Sequence, residues 1–254
     1  MAIKTFKRYE KKFILNEEQY NKLIPILSKY MVHDKHCRNG QNYNIYTIYY
    51  DTIDNSVIRH SINKPYYKEK LRLRSYKSSI NKDDIVFLEL KKKINGIVSK
   101  RRATLTLEEA NNFLKDRSLP KNLDYLTNQV LNEIGFYLDM NEVIPKVFIS
   151  YSRNAFFDKE DSDFRITFDS NIISRRDFLS LEYDNFGDEI LKNDLYLMEV
   201  KILGSIPLWL TKVFSDLKIY PTHFSKYGNE YMNYCLNTHN NKNNIYALRR
   251  TKIC

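Results

Sequence analysis

The sequence predicts an α+β fold built on an antiparallel eight-stranded β-barrel with flanking helices. Three observations carry this reading. Charged residues recur at every second position in six stretches: Arg8-x-Glu10-x-Lys12, Lys70-x-Arg72-x-Arg74, Glu89-x-Lys91-x-Lys93, Lys100-x-Arg102, Arg165-x-Thr167-x-Asp169 and Glu199-x-Lys201. The residues between them are mostly apolar, among them Leu71, Leu73, Leu88, Leu90, Phe164, Ile166, Phe168, Met198 and Val200. Period-two alternation puts the two sets on opposite faces of each strand. Second, strands and helices fall in groups without βαβ alternation, which favours an antiparallel sheet. Third, closing eight strands removes the sheet edges and creates a lumen. Amphipathic helices can then cover the apolar outer faces while the charged faces point inward. An open sheet with its charged face in water has the same periodicity, so both arrangements stand at this point.

The elements follow in order. A strand over 3–15 carries Arg8, Glu10 and Lys12. Asn16 then caps a helix over 17–30, with Gln19 placed for a capping box. Strands are predicted over 44–52 and 68–78, then over 84–95 and 98–106 around Asn95-Gly96, a tight-turn dipeptide. Thr106 and Glu109 repeat the capping-box pattern before a helix over 107–117. A helix over 122–134 would end at Gly135, a suitable C′ residue. Strands over 145–157, 163–173 and 194–203 complete the eight. A helix over 206–218 gathers Trp209, Leu210, Val213, Phe214 and Leu217 on one face, and a last helix covers 225–236. The Asn-rich stretch after it reads as a flexible end. The division is therefore one domain, 1–236, and a C-terminal tail, 237–254.

Composition narrows the partners. The chain has 254 residues, a net charge of +10 and a pI of about 9.2. Such a balance suits nucleic acid, an anionic membrane or a phosphorylated ligand. The distribution of charge says more than its total. With Arg153 added, the alternating set holds twelve cations against four anions. Lys70, Arg72, Arg74, Lys91, Lys93, Lys100 and Arg102 would repel one another across neighbouring strands. Enclosing them without counter-charge costs several kcal/mol per ion. A bound phosphate chain removes both penalties, because arginine forks match phosphate oxygens. Cys37, Cys235 and Cys254 form no CxxC and no disulfide framework, which points to a reducing, cytoplasmic location. The N-terminus has no apolar h-region, and no stretch reaches the roughly 18 apolar residues that cross a bilayer. A membrane partner would leave no mark visible here.

Glu10, Glu89 and Glu199 each lie two positions before a lysine. A carboxylate beside phosphates normally needs a cation between them, and Mn²⁺ or Mg²⁺ takes one or two carboxylates plus substrate phosphate. Glu199 is the favoured ligand, and pairing of Glu10 and Glu89 with neighbouring cations is an equal alternative. The five histidines show no metal spacing, and His33 and His36 read as loop residues. No Walker pattern, nucleophile elbow or RNP-like motif appears, so aromatic stacking on nucleic acid rests only on the abundance of tyrosine.

The order of the motifs resembles the VTC domain, the polyphosphate polymerase branch of the triphosphate tunnel (CYTH-like) superfamily. The matching stretches are Phe6–Phe13, Tyr49–Thr52, Leu71–Arg74, Phe87–Lys91, Val98–Arg102, Tyr151–Phe156, Phe164–Asp169, Met198–Lys201, Pro207–Leu210 and Phe224–Gly228. The resemblance implies an eight-stranded tunnel in which basic residues grip a triphosphate. It implies Arg72, Arg74, Lys91, Arg153, Arg165 and Lys201 as catalytic contacts. It implies Lys12, Lys100, Tyr151, Ser225 and Lys226 as substrate contacts, Tyr151 toward the nucleotide. Glu199 would be the metal ligand, with Mn²⁺ or Mg²⁺ as cofactor and ATP and inorganic polyphosphate as partners, to the exclusion of nucleic acid. One departure stands out. Superfamily hydrolases and cyclases commonly open with Glu-x-Glu-x-Lys, where this chain has Arg8-x-Glu10-x-Lys12. The exchange weakens a two-metal hydrolase or cyclase site and favours the polymerase branch; a tunnel triphosphatase and a silent polyphosphate-binding module are the alternatives.

Overall fold

The computed structural model describes residues 8–37, 41–161 and 163–250, with side chains placed from Tyr9 to Thr238 within those ranges. The fold is α+β. Its centre is one antiparallel sheet of eleven strands in the order β11-β1-β10-β8-β7-β3-β4-β5-β6, with β2 added to β7 and β9 to β8. Eight strands are long: β1 (Arg8–Asn16), β3 (Tyr43–Asp51), β4 (Tyr67–Ser75), β5 (Ile85–Ile94), β6 (Ile97–Thr106), β7 (Ile144–Asp158), β8 (Arg165–Arg175) and β10 (Leu195–Leu203). These are the eight that alternation predicts. The short β2 (Met31–His33), β9 (Asp188–Glu189) and β11 (Pro221–Thr222) are additions.

The predicted closed eight-stranded barrel is corrected. The ladder does not close, because the free edge of β1 takes β11, with Lys12 opposite Thr222 and Phe13 opposite Pro221. Strand β6, at the far end, pairs among the described residues only with β5, although its Cα atoms come within 8 Å of β1. The sheet is nonetheless strongly curled. Six strand intervals separate β1 from β5, about 29 Å in a flat sheet at about 4.8 Å per interval. Yet Glu10 on β1 is the charge that acts most strongly on Lys91 of β5.

The sequence explains the curl. The apolar set of β3–β6, including Leu71, Leu73, Leu88 and Leu90, is buried with Phe113, Leu131 and Ile134 of α3 (Leu107–Asp116) and α4 (Tyr125–Met140). That of β1, β8 and β10, including Phe13, Ile166, Phe168, Met198 and Val200, is buried with Leu23, Leu27, Leu210 and Phe214 of α1 (Glu17–Tyr30) and α5 (Leu208–Asp216). Two helical layers thus cover the outer face, and the charged face is left concave.

Both capping boxes form: Asn16 with Gln19, and Thr106 with Glu109. Asn95 and Gly96, at φ 45° and 83°, make the two-residue turn between Ile94 and Ile97. Gly135 does not end its helix. Val130, Leu131, Ile134 and Leu138 continue the apolar stripe across it, and a Cβ at Gly135 would lie 3.9 Å from the Phe113 ring. The last helix, α6 (Lys226–Arg250), continues beyond the predicted end at 236. Asn lowers helix propensity without breaking a helix, and no Pro or Gly follows Gly228 within it. Residues 251–254 of the predicted tail lie outside the described residues. Helix α2 (Ser56–Ile62) has no counterpart among the predicted elements, and His33 lies in β2, not in a loop.

Candidate anion-binding site

Three buried carboxylates organise the concave face, each from the centre of a strand. Glu89 of β5 is fully buried. It accepts hydrogen bonds from Arg72 Nε at 2.7 Å and Arg102 Nε at 2.6 Å, with Lys100 at 3.5 Å and Arg74 at 3.9 Å. The antiparallel register builds this group by placing Arg72 and Arg102 on either side of Glu89. Burial pushes the carboxyl pKa up, but these four cations outweigh it and hold the group ionised well below its ordinary range.

Asp169 of β8, also fully buried, takes a bidentate pair from Arg153 at 2.6 and 2.7 Å and a third bond from Lys226 Nζ. Glu199 of β10 has Lys12 and Lys201 at 3.3 Å and Lys226 at 3.5 Å. Its pKa is held well below the ordinary range, since Lys12, Lys226 and Lys201 overcome the burial that would raise it. Glu10 lies 3.5 Å from Lys12 and is also lowered, burial being outweighed by Lys91, Lys201 and Lys12 despite the nearby Glu199.

The face is over-supplied with positive charge. Lys12, Lys70, Arg72, Arg74, Lys91, Lys100, Arg102, Arg153, Lys201 and Lys226 surround four carboxylates. Lys70 and Lys91 have no ion pair among the described residues. Burial, then the charges of Lys68, Lys91 and Lys12, lowers Lys70 to about 7. Burial lowers Lys201 to about 8 although Glu199 and Glu10 pull it up. Burial among like charges costs these lysines stability, a cost that an anion bound on this face would offset.

The predicted contacts separate by position. Arg72, Arg74, Lys91, Lys100, Arg153, Lys201, Lys12 and Lys226 converge on this face. Tyr151, 6% exposed, underlies it: Lys226 and Arg153 lie 4.4 and 5.1 Å from its ring centroid, and its hydroxyl accepts from Arg74 at 3.5 Å. Arg165 stands at the beginning of β8, donating to Asp34 at 3.2 Å and to the Tyr43 hydroxyl at 3.3 Å. Ser225 is exposed and caps α6, its hydroxyl accepting the Gly228 N–H at 3.2 Å. A Cβ at Gly228 would sit 3.1 Å from Ser225 Cβ, so glycine permits the tight turn that delivers Lys226 to Asp169.

Sequence reasoning missed the organising role of Asp169, whose partner Lys226 is 57 residues away. It also left Lys70 out of the site, and it missed Tyr49, half-buried opposite Arg72. Burial would raise the Tyr49 pKa, but Arg72 and Arg74 bring it below its ordinary value. Another surprise is apolar. Register places Ile45, Ile149 and Tyr151 on the same face as Arg72 and Arg74. With Val147, Leu197, Phe224 and Tyr227 they form a third core that fills one part of the concavity. Tyr227 stacks on Tyr49 at 4.9 Å and donates to Asp51 at 2.7 Å, so the start of α6 is pinned there.

The donor set suits a hard divalent ion that draws few ligands from protein. No group of three His, Cys, Asp or Glu side chains forms a metal cage among the described residues. Glu199 and Glu10 offer carboxylate oxygens near each other, and Thr167, directly across from Glu199, keeps a buried hydroxyl with no hydrogen-bond partner among the described residues. Mg²⁺ and Mn²⁺ accept such sites when phosphate and water complete the shell.

A family model of the VTC domain matches residues 7–234. The chain belongs to the VTC-domain family. Among solved structures, this VTC domain is similar to a candidate adenylate cyclase from Bacillus halodurans, at 16% identity and a TM-score of 0.50, over 86% of this chain and 95% of that one. At that identity the likeness speaks for the shared fold alone. A protein from Pyrococcus horikoshii aligns over 89% of this chain and 98% of its own, at 13% identity and a TM-score of 0.43. No helix among the described residues of the VTC domain is long and apolar enough to cross a membrane.

Proposed function

We propose that this VTC domain, residues 1–236, is an ATP-dependent polyphosphate polymerase. The bond between the β,γ-bridging oxygen and the γ-phosphorus of ATP breaks, and ADP leaves. A terminal oxygen of the acceptor chain bonds to that phosphorus, lengthening the polymer by one phosphate. Arg72, Arg74, Arg153 and Arg165 stabilise charge on the transferring group. Lys12, Lys91, Lys100, Lys201 and Lys226 hold the flanking phosphates, and Ser225 fixes the start of α6 that carries Lys226. Glu199 would hold Mn²⁺ or Mg²⁺, which would neutralise and orient the phosphates when bound.

The observation that carries the choice is the state of the carboxylates. Glu10, Glu89, Asp169 and Glu199 all have pKa values lowered by lysines and arginines. Each is therefore a poor proton acceptor. Hydrolysis needs water to be deprotonated or well oriented, whereas the terminal phosphate of a growing chain is already ionised and needs no base.

A second reading, a tunnel triphosphatase acting on inorganic or nucleoside triphosphate, has one observation in its favour. Lys70, with a pKa of about 7, is lowered further than Lys201, at about 8, and could take a proton near neutrality. An incoming phosphate would raise that pKa again, so Lys70 suits an anion grip better than a base. Incubation with ATP and Mn²⁺, followed by gel electrophoresis of polyphosphate and assay of orthophosphate, separates the readings. Long polymer with ADP supports the polymerase. Orthophosphate with no polymer transfers the site to the triphosphatase, and no ATP turnover at all leaves a polyphosphate-binding module.

A further inference from the structure

At the end of the concavity away from the Tyr227 core lies an aromatic group that the phosphate chemistry does not use. Tyr43 is the first residue of β3, Tyr76 follows the last residue of β4, and His36 lies in the turn after β2. Ring centroids are 5.8 Å apart for His36–Tyr43, 6.0 Å for Tyr43–Tyr76 and 6.3 Å for His36–Tyr76. His36 is exposed and Tyr76 is 41% exposed, so neither ring is core filling. The His36 and Tyr76 planes are parallel to within 5°. Other parallel pairs in this protein are in direct contact: Tyr20–Tyr196 at 3.9 Å and Tyr30–Trp209 at 4.1 Å. At a centroid distance of 6.3 Å, His36 and Tyr76 form an offset parallel pair. An offset pair leaves part of each ring face uncovered, and a planar base can stack there at the usual carbon–carbon contact of about 3.5 Å.

The aromatic group is tied to the phosphate-gripping cations. Arg102, bound to Glu89, also donates to the Tyr76 hydroxyl at 3.4 Å. Arg165 donates to the Tyr43 hydroxyl, and its buried Nε has no hydrogen-bond partner among the described residues. Tyr151, by contrast, is buried with Lys226 and Arg153 over its ring and has no open face for a base.

We propose that His36 and Tyr76, backed by Tyr43, bind the nucleobase of a nucleoside triphosphate whose phosphates lie among Arg72, Arg74 and Arg102. The proposal rests on the polyanion-binding reading of the concave face and adds the orientation of the nucleotide. The base remains at the His36–Tyr76 end, and the γ-phosphate points inward toward Glu199 and Lys226. Stacking reads the π face and not the edge of a base, so the subsite accepts purines without strong preference.

Calorimetric titration of wild type, Tyr76→Ala, Tyr76→Phe and His36→Ala with ATP and with inorganic tripolyphosphate tests this. Loss of a stacking ring should weaken ATP about tenfold, within the range found for base–aromatic contacts. Tripolyphosphate should change by less than about twofold, and Tyr76→Phe should retain ATP affinity. Equal losses for both probes would make Tyr76 a support for Arg102 and overturn the proposal, as would unchanged ATP affinity in Tyr76→Ala and His36→Ala. If wild type binds tripolyphosphate but the ATP-selective loss is absent, only the subsite fails. If wild type binds neither probe, the underlying reading of the face fails with it.

Discussion

Asp169 shows how one residue holds the basic site together. Its carboxylate neutralises Arg153 and Lys226 in a fully buried position. Removing one partner of a buried ion pair costs about 3–5 kcal/mol, because the remaining charge is left without compensation. Asp169→Asn should therefore lower the melting temperature sharply, and tripolyphosphate should recover much of the loss by supplying the missing anion. A loss of the same size with and without tripolyphosphate would show that Asp169 acts through packing alone. Lys70 gives a second residue-scale prediction. Its pKa is about 7 in the folded protein against 10.5 for an ordinary lysine, through burial and the charges of Lys68, Lys91 and Lys12, with Asp51 opposing. Between those values the unfolded chain binds more protons, so stability of the ligand-free protein rises with pH. Melting temperature should increase from pH 7 to 9, and Lys70→Met should flatten that slope. A slope unchanged in the variant would remove Lys70 as its source. The alternation made Lys70 visible, but it could not show that the lysine lacks a counter-ion, which depends on the curl of the sheet.

Elements with a strong local signal were legible. The Asn16–Gln19 and Thr106–Glu109 boxes each place a hydroxyl or amide oxygen and a return acceptor three residues apart. Asn95-Gly96 gives the positive φ values of a tight hairpin. Strands β9 and β11 have two residues each, too few to express a period. Gly135 misled because its packing against Phe113 is a tertiary fact. Gly228 is the element-scale test. Alanine favours a helix by up to about 1 kcal/mol over glycine, but its Cβ would crowd Ser225 at 3.1 Å. Gly228→Ala should displace the cap and Lys226, weakening tripolyphosphate several-fold while the melting temperature changes little. Full affinity in that variant would mean that the turn at Ser225 does not position Lys226.

At the scale of the molecule, the sequence revealed the faces but not their closure. Leu71, Leu88, Phe168 and Met198 were buried outside as their period required, whereas the pairing of β1 with β11 depends on residues more than 200 positions apart. Nor did alternation distinguish charged from apolar stretches of the inner face, because Ile45, Ile149 and Leu197 share it with the arginines. The central claim is that the curled sheet encloses its positive charge around a phosphate chain. Thermal melts with tripolyphosphate, with duplex DNA at matched phosphate concentration, and at low and high salt test it most directly. A hundredfold excess over Kd of a ligand bound only by the folded state adds about 2.7 kcal/mol, and salt should reduce that gain by screening. Duplex DNA carries the same phosphates on a stiff body too wide to enter the concave face, where the curl brings Glu10 of β1 to Lys91 of β5. A large, salt-sensitive shift with tripolyphosphate and a small one with DNA is the predicted result. Equal shifts from the two would place the basic residues on an open surface and contradict the account.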